Sequence, residues 1–417
     1  MTQPLALVFP GSGSQYVGMA KRLYERYPQV RILFEEASHV AKQDMAALCL
    51  SGNIIRLSEP TVMAVAIYTT SVAHYLAFEQ FLALTDTDAT VEYMLGHSLG
   101  EYAALTCSGA LSFSQTLELV AMRSRLASHI AQEMDAGTSI IKQGNLALVE
   151  AACDAAVRET RQQVAIACFN SPKQFMLSGH NAAIIAAEQY LLDHDPLVQV
   201  VPLIGGVPYH SALLHQYGQP LRQALDRCDW HKPRCQVIAN VSAQPYPDNQ
   251  IMAPWLEQQL SQPVQWQRSL AYVAAKQAPI AIEIGPQSVL KNLLLENAYP
   301  AQVYAFDDRQ DRERLAQALQ RPVPDADRRQ RVIRLTNAIT ATRHHCAGDA
   351  QANAQLTTLL GQFFSRVQQV EQRGAASDDD IAFLNALLEQ GFLLKGSSQA
   401  ERDACRATLA DDNGWHE

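Results

Sequence analysis

The chain is poor in charge, and it lacks the cysteine pairs that hold metals or form redox centres. Charged residues make up 18% of its 417 residues, and the net charge is −9. This balance argues against a nucleic-acid-binding protein, which needs cations along the phosphates. The eight cysteines are scattered without a C-x-x-C pair, so neither a zinc nor a redox motif is present. We expect reduced cysteines in a cytosolic protein.

The sequence also lacks signals for targeting or for a membrane. Met1-Thr2-Gln3-Pro4 leads directly into a short apolar run, without the basic segment and long apolar stretch of a signal peptide. No uninterrupted apolar stretch approaches the ~20 residues of a membrane span. Hydrophobic residues nevertheless make up 48% of the chain. We therefore expect a globular, cytoplasmic protein with a large core and two or three domains.

Predicted strands and helices alternate over most of the chain. This alternation is typical of a mainly parallel sheet with helices on both faces. We assign residues 1–135 and 204–320 to one large α/β domain of this kind. Its predicted strands are residues 5–9, 91–95, 237–241 and 280–284, and its predicted helices are residues 18–40, 61–85, 101–108 and 117–131.

Residues 136–203 follow a different pattern and predict a small inserted subdomain. Strands are expected at residues 138–142, 164–169, 174–178 and 198–203, with helices over 146–160 and 182–192. The order β-α-β-β-α-β is that of a ferredoxin-like fold. We therefore expect the large domain to resume after this insertion.

A third region follows a break in the chain at residues 320–328. Two prolines and several charges in this stretch cannot continue a helix. Residues 329–417 predict a helical extension, interrupted at 373–377, where Asp378-Asp379-Asp380 suits the first turn of a helix. Adjacent side chains of a helix point to different faces, so His344-His345-Cys346 does not predict a metal site.

The motif with the clearest chemistry is Gly96-His97-Ser98-Leu99-Gly100. It fits the Gly-x-Ser-x-Gly nucleophile elbow of α/β-hydrolase-like domains, where a serine on a tight strand-to-helix turn exposes its hydroxyl beside free N–H groups. A strand is predicted before it and an Ala- and Leu-rich helix after it. A glycine-flanked turn with an idle serine is the alternative.

A serine nucleophile needs a base, and two histidines are candidates. His97 adjoins the serine, but neighbours on a tight turn usually point apart. His210 lies in the glycine-proline loop 205–211, where the chain re-enters the large domain. Composition alone leaves two alternatives for His210, a base that faces the elbow or a solvated loop histidine.

Seven blocks in one order carry a family resemblance. Over residues 4 to 310 the chain resembles the malonyl-CoA:acyl-carrier-protein acyltransferase family. The blocks are Phe9-Pro10-Gly11-Ser12-Gly13-Ser14-Gln15, residues 96–102, Met122-Arg123, Phe169-Asn170-Ser171-Pro172, Val207-Pro208-Tyr209-His210-Ser211-Ala212-Leu213, Gln262-Pro263-Val264-Gln265-Trp266 and Glu283-Ile284-Gly285-Pro286.

The resemblance implies roles for the reacting groups. Ser98 is the expected nucleophile and His210 the general base. The main-chain carbonyl of Gln259 is expected to orient the histidine, in place of the carboxylate of a triad. The backbone N–H groups of Leu99 and Ser12 are the expected oxyanion donors, and one such donor contributes roughly 3 kcal/mol.

The resemblance also implies a binding site for a carboxylate. Arg123 matches the arginine that pairs with the free carboxylate of malonyl, and a planar guanidinium suits such a bidentate contact. Arg125, two residues later, is expected to be a solvated helix arginine. His97 and Asn170 are expected to line or brace the pocket.

Two positions depart from the family pattern and widen the choice of acyl group. The family usually has Gly-Gln-Gly in the first glycine loop, whereas Ser12 stands here, and a second pocket glutamine falls at Ala64. We therefore expect a roomier pocket with fewer amide groups. Arg123 favours a dicarboxylic acyl group, including an α-substituted malonyl such as an aminomalonyl unit on a carrier protein.

The helical extension indicates the biological role. Residues 337–395 resemble, more loosely, the tail of stand-alone acyltransferases of polyketide assembly lines. We therefore predict a trans-acting acyltransferase that uses malonyl-CoA, or a malonyl or aminomalonyl carrier protein, without a cofactor or metal. Its expected partners are acyl carrier domains of polyketide and nonribosomal peptide synthases. Alternatives are the housekeeping transacylase of fatty-acid synthesis, a carrier thioester hydrolase and a non-catalytic docking protein.

Overall fold

The chain forms two compact units in a computed structural model. The structure describes residues 3–85, 87–203, 206–247, 249–276, 279–319, 325–342, 345, 349–373 and 376–410. The first unit comprises Met1–Ala83 and Asp88–Ala318, and the C-terminal unit comprises Leu84–Thr87 and Leu319–Glu417. Residues 320–324 of the predicted boundary, Gly205, His344 and Cys346 lie outside the described residues.

A five-stranded parallel sheet forms the centre of the first unit and confirms the predicted fold class. Its strands lie in the order β7-β2-β1-β8-β9. All four neighbouring pairs are parallel, with Phe9 of β1 opposite Gly96 of β2. The strands are β1 (Pro4–Phe9), β2 (Thr90–Gly96), β7 (Gln236–Ile238), β8 (Ile280–Glu283) and β9 (Val303–Ala305).

Helices cover this sheet, which explains why its central strand β1 is a continuous apolar run. The described helices before the insertion are α1 (Lys21–Arg26), α2 (Pro28–Ala41), α3 (Met45–Ser51), α4 (Ile54–Leu57), α5 (Pro60–Leu84), α6 (Gly100–Cys107) and α7 (Phe113–Glu133). Those after it are the 3₁₀ helix η1 (Ala212–Tyr217), α10 (Gly218–Leu225), α11 (Asn249–Gln258), α12 (Trp266–Ala274), α13 (Val289–Glu296) and α14 (Arg309–Leu319).

The helix predicted over residues 18–40 is in fact two helices, and the single-helix prediction is wrong. Tyr27 lies between α1 and α2 with extended angles, φ −112° and ψ 113°. The cause is Pro28, because a proline pushes the preceding residue out of the helical region.

Helix α5 is long and apolar enough to cross a membrane, although polar residues interrupt its apolar run, in line with the sequence-based expectation. However, 83% of its apolar window is buried inside the protein. Its polar side chains Thr69, Thr70 and His74 are buried as well. The length and composition of α5 are therefore those of a core helix.

The inserted segment forms a four-stranded antiparallel sheet in the order β4-β5-β3-β6. Two helices pack on one of its faces around a separate apolar core that includes Ile141, Phe175 and Leu177. The order along the chain is β3 (Ala136–Lys142), α8 (Leu146–Thr160), β4 (Val164–Ser171), β5 (Gln174–His180), α9 (Asn181–His194) and β6 (Gln199–Leu203). This is the ferredoxin-like β-α-β-β-α-β arrangement.

The described part of the C-terminal unit consists of helices. These are α15 (Asp325–Ala341), α16 (Ala350–Arg373), α17 (Asp378–Leu394) and α18 (Gln399–Ala410). Leu335, Phe363, Leu384 and Phe392 belong to its own apolar core. Helix α15 begins inside the stretch 320–328, where a break was expected, while α16 ends at the predicted interruption.

Candidate active site

The Gly-x-Ser-x-Gly motif forms a sharp turn between β2 and α6. Ser98 has a φ of 52°, a left-handed conformation that costs a non-glycine residue about 1–3 kcal/mol. A Cβ at Gly96 would lie 1.9 Å from the carbonyl carbon of Gly100, and a Cβ at Gly100 would lie 2.0 Å from the Phe9 oxygen. Both positions therefore require glycine, and the crossing holds Ser98 at the carboxyl end of β2.

Asn240, after β7, fixes the backbone on both sides of the serine. Its Oδ1 accepts from the Ser98 N–H at 2.8 Å, and its Nδ2 donates to the Gly96 carbonyl at 2.6 Å. Asn240 is buried, so these bonds form in a medium where an unmade bond is costly. They offset part of the strain of the turn.

His210 lies within hydrogen-bond distance of the serine. Its Nε2 is 2.6 Å from Ser98 Oγ, and its Nδ1 is 2.7 Å from the carbonyl oxygen of Gln259. A carbonyl only accepts, so Nδ1 carries the hydrogen and Nε2 is left as the acceptor. His210 also has a left-handed φ of 59°, and its N–H donates to the Leu260 carbonyl at 2.9 Å.

The imidazole is held in its neutral form. Burial, followed by the nearby positive charge of Arg123, lowers the pKa of His210 to about 3. Both influences disfavour the imidazolium. At neutral pH the ring is therefore free to accept the proton of the Ser98 hydroxyl.

Arg123, on α7, brings a buried cation beside the serine. The residue is 2% exposed, and its Nη2 lies 3.3 Å from Ser98 Oγ and 3.1 Å from Gln259 Oε1. Its guanidinium carbon stands 4.1 Å from the centre of the Tyr209 ring. Within the described part of the chain, its buried Nε has no acceptor. Because a buried N–H without an acceptor is costly, the arrangement suits an anionic ligand.

The expected oxyanion donors lie on two adjoining segments. Among the described residues the backbone N–H of Leu99 has no acceptor, and Leu99 itself is buried. The loop that carries Ser12 packs against it, since a Cβ at Gly11 would lie 3.7 Å from the Leu99 nitrogen. Ser12 is exposed. The structure therefore puts both segments beside the elbow.

His97 points away from the serine and toward the inserted subdomain. Its Nε2 lies 2.8 Å from Asn170 Oδ1 on β4. Its ring meets Trp266 edge to face at 5.4 Å. Burial lowers the pKa of His97. These contacts join the elbow to the small sheet and suit a bracing role.

Comparison with known proteins is consistent with this geometry. Residues 6–342 match the family model described as an acyl transferase domain. The chain belongs to this acyl transferase family. A malonyl CoA-acyl carrier protein transacylase of Bacillus subtilis is 28% identical over 373 residues, 88% of this chain and 90% of the relative.

Solved acyltransferases share the fold. The malonyl-CoA:acyl carrier protein transacylase of Xanthomonas oryzae pv. oryzae has a TM-score of 0.71 and 30% identity, over 77% of this chain and 100% of that chain. A malonyl-transacylase solved in complex with its type II polyketide acyl-carrier protein has a TM-score of 0.70 and 28% identity. The match covers 76% of this chain and 99% of that chain. The protein is thus an acyltransferase.

The structural match to the Xanthomonas protein and the sequence match to the Bacillus protein cover different shares of this chain. The whole Xanthomonas acyltransferase is covered by 77% of this chain, about the length of the first unit. The Bacillus match extends over 88% of the chain, which is longer than the first unit. At least part of the C-terminal unit is therefore shared with that relative.

Three buried residues of the acyltransferase site were missed by sequence reasoning: Glu101, Asn240 and Tyr246. Glu101 Oε1 accepts from Tyr246 Oη at 2.7 Å and from Asn240 N at 3.1 Å. Its Oε2 accepts from Gln259 Nε2 at 2.6 Å. Burial raises the pKa of Glu101 to about 7. A single acid in the Ala- and Leu-rich helix 100–107 was the one signal that the sequence offered.

The remaining candidate groups lie apart from this site. Among the described residues, no three His, Cys, Asp or Glu side chains are arranged to hold a metal. Six cysteines are described as free thiols, and four of them are buried. Arg125 is exposed on α7, in contrast to Arg123.

Proposed function

We propose that the protein transfers a malonyl-type acyl group to the phosphopantetheine thiol of an acyl carrier protein through an ester on Ser98. The observation that carries this proposal is a buried guanidinium with an unpartnered Nε beside a bonded serine–histidine pair. The pair supports acyl transfer, and the cation supports an acyl group with a free carboxylate. The relatives' names agree with this choice.

In the first half-reaction Ser98 attacks the thioester. The Ser98 hydroxyl gives its proton to His210 Nε2, 2.6 Å away, as its oxygen bonds to the thioester carbonyl carbon. Negative charge passes to the carbonyl oxygen, where the N–H groups of Leu99 and Ser12 receive it. Collapse breaks the carbon–sulfur bond, and the thiolate leaves with the proton from His210.

In the second half-reaction the carrier's thiol regenerates the serine. His210 takes the proton of the phosphopantetheine thiol, and the sulfur bonds to the ester carbonyl carbon. The second collapse breaks the bond to Ser98, whose oxygen recovers a proton from His210. The base returns to its neutral form, which its lowered pKa favours. No cofactor or metal takes part.

The acyl group is a dicarboxylic one, malonyl or an α-substituted malonyl. Arg123 would meet its far carboxylate while Ser98 holds the near carbonyl. By the family resemblance, Ser12 and the buried Ala64 replace longer amide side chains, and we expect these replacements to leave room beside the α-carbon. An aminomalonyl unit delivered by a carrier protein is within this class.

We propose that the enzyme acts in trans, in the cytosol, on carrier domains of polyketide or nonribosomal peptide assembly lines. Support comes from the helical unit beyond the length of the Xanthomonas relative. Further support comes from the similar malonyl-transacylase that was solved in complex with its type II polyketide acyl-carrier protein. The runner-up is the housekeeping transacylase of fatty-acid synthesis, which would use the same serine, histidine and arginine.

Intact-mass measurement tests the reaction. The protein is incubated with malonyl-CoA, with and without a holo-carrier protein. We expect a malonyl mass on the enzyme and then on the carrier. Release of free malonate without carrier loading would support a hydrolase, and no mass change would support a docking protein. Either result would overturn the proposal.

Two variants and one cell assay complete the test. Ser98→Ala should abolish loading, whereas Ser108→Ala, at the other end of α6, should load as the parent does. Loading of the carrier by Ser98→Ala would contradict the assigned nucleophile. Growth rescue of a cell that lacks its malonyl transacylase would favour the housekeeping role. Faster loading of a polyketide carrier than of a fatty-acid carrier would favour the trans-acting role.

A further inference from the structure

The side chain of Gln259 contacts the arginine, the serine backbone and a buried acid at once. Its Oε1 accepts from Arg123 Nη2 at 3.1 Å, and its Nε2 donates to the Ser98 carbonyl at 2.8 Å and to Glu101 Oε2 at 2.6 Å. Its main-chain carbonyl bonds to His210. One fully buried residue therefore contacts Arg123, His210 and the backbone of Ser98.

The direction of this amide is dictated by its neighbours. A guanidinium can only donate, and an ionised carboxylate can only accept. Arg123 therefore has to meet the oxygen of Gln259, and Glu101 has to meet the NH₂ group. A flipped amide would oppose donor to donor at Arg123 and oxygen to oxygen at Glu101.

The carboxylate of Glu101 is itself fixed from three sides. Gln259 Nε2 occupies one oxygen, while Tyr246 Oη and Asn240 N donate to the other. The carboxylate therefore cannot turn without breaking a buried bond. Burial raises its pKa to about 7, and these donors and the charge of Arg123 keep it from rising further, so the ionised form prevails above pH 7.

We propose that Glu101 is a positioning residue of the acyltransferase. Its carboxylate holds the Gln259 amide with the oxygen toward Arg123, and so keeps the guanidinium in place for the carboxylate of the substrate. This inference rests on the proposed malonyl transfer and adds the group that sets its selectivity. The contact of His210 with the main-chain carbonyl does not depend on which way the amide faces.

Glu101→Gln separates the positioning of Arg123 by the Gln259 side chain from the positioning of His210 by the Gln259 carbonyl. The new amide keeps its shape and an acceptor for Tyr246 and Asn240, but it presents NH₂ where Gln259 also presents NH₂. One amide has to turn, and if that of Gln259 turns, its NH₂ faces Arg123 and displaces the guanidinium. We therefore expect weaker binding of malonyl-CoA with an intact serine–histidine pair.

The test compares malonyl loading with labelling of Ser98 by a neutral alkyl fluorophosphonate, which has no carboxylate for Arg123. For Glu101→Gln we expect KM for malonyl-CoA to rise roughly 30-fold or more and the labelling rate to stay within about threefold. Asp311→Asn is the matched variant, since it also turns a buried acid of the first unit into an amide, at a carboxylate that accepts from Ala305 N at 2.8 Å outside the site. It should lower the melting temperature and leave KM within about threefold.

Equal losses in loading and labelling would assign Glu101 a purely structural role and overturn the inference. An unchanged KM would overturn it as well. Gln259→Glu is the second variant, in case Glu101→Gln does not fold. It places a carboxylate against Arg123 and should raise KM while sparing labelling. A parent protein that takes the probe but not malonyl would refute the proposed function itself, and this inference with it.

Discussion

The two units of the molecule both bury charged side chains, but they use them differently. In the first unit Arg123 is buried with an Nε that has no acceptor among the described residues. In the C-terminal unit the buried Lys395 donates to the carbonyls of Ile339 and Thr342. The lysine thus fills the open end of α15, whereas the arginine is left able to bind something else.

The same contrast applies to the acids. Asp380 accepts from the backbone of Ser377 at 2.8 Å and from Arg373 at 2.9 Å, closing a capping box at the start of α17. Glu101 lies in the first turn of α6, but its carboxylate accepts from groups outside that helix. The donors are the side chains of Tyr246 and Gln259 and the backbone N–H of Asn240. Charge that completes secondary structure stabilises a fold, while charge that orders other side chains prepares a site.

The largest expected effect comes from removing the general base, His210. His210→Gln keeps a polar side chain but removes the proton acceptor of Ser98. We expect the rate of malonyl loading to fall by about 10³-fold or more. Intact-mass measurement of reactions quenched at set times checks this. The matched variant His215→Gln, in η1, should retain the parent rate. Loading by His210→Gln at a tenth of the parent rate would show that another group is the base.

The next effect concerns Arg123, the buried cation whose Nε has no acceptor among the described residues. Arg123→Met keeps the apolar stem and removes the guanidinium. We expect kcat/KM for malonyl-CoA to fall about 100-fold, the equivalent of one charge-assisted hydrogen-bond pair. The exposed Arg125 provides the control, and Arg125→Met should change kcat/KM less than about twofold. A similar loss in both variants would contradict a carboxylate clamp.

A smaller effect links the site to stability. The pKa of His210 is about 3 in the folded protein and about 6.5 in an unfolded chain. Between these values the unfolded chain binds a proton that the folded chain does not, so stability falls as the pH falls. From pH 7 to pH 5 the parent should lose about 2 kcal/mol more than His210→Gln.

Urea unfolding of both proteins at the two pH values measures this difference. Glu101, whose pKa is raised to about 7, acts in the opposite direction. It is present in both proteins, so its contribution cancels. Parallel losses in the parent and the variant would mean that His210 is not held neutral by its surroundings.

The smallest expected effect lies in the C-terminal unit. Asp380→Asn weakens the capping box and the contacts to Arg366 and Arg373. We expect a loss of about 1–2 kcal/mol of unfolding free energy, measured by urea titration, with an unchanged labelling rate of Ser98. Asp379→Asn, on the exposed neighbour, should change stability by less than about 0.5 kcal/mol. A loss of labelling in Asp380→Asn would contradict a purely structural use of this charge.

Much of the fold was predictable because its signals are local. The alternation of strands and helices gave the parallel sheet, and the insertion's order of elements gave the ferredoxin-like sheet. The single helix predicted over residues 18–40 is wrong because Pro28 keeps Tyr27 out of the helical region. Strand β9 was missed, since Val303–Ala305 is too short for a pattern of its own.

The site was predictable where family blocks mark it. Ser98, His210, Arg123 and the Gln259 carbonyl were named from the sequence, and the structure brings them within hydrogen-bond distance of one another. Their roles stay predictions until the variants are measured. Asn240 and Tyr246 carry no local signal, because their side chains reach the site through hydrogen bonds to residues about 140 positions earlier in the chain.

By itself the sequence determined the order of elements, the serine turn and the residue types that suit acyl transfer to a carrier. Glycine spacing, apolar periodicity and short blocks express these properties within a few neighbouring residues. Only the tertiary structure decided that His210 is neutral and that Arg123 keeps an N–H without an acceptor among the described residues. It also decided that the Gln259 amide points its oxygen toward Arg123. Those properties depend on burial and on the direction of hydrogen bonds between segments far apart in the chain, and no local pattern encodes them.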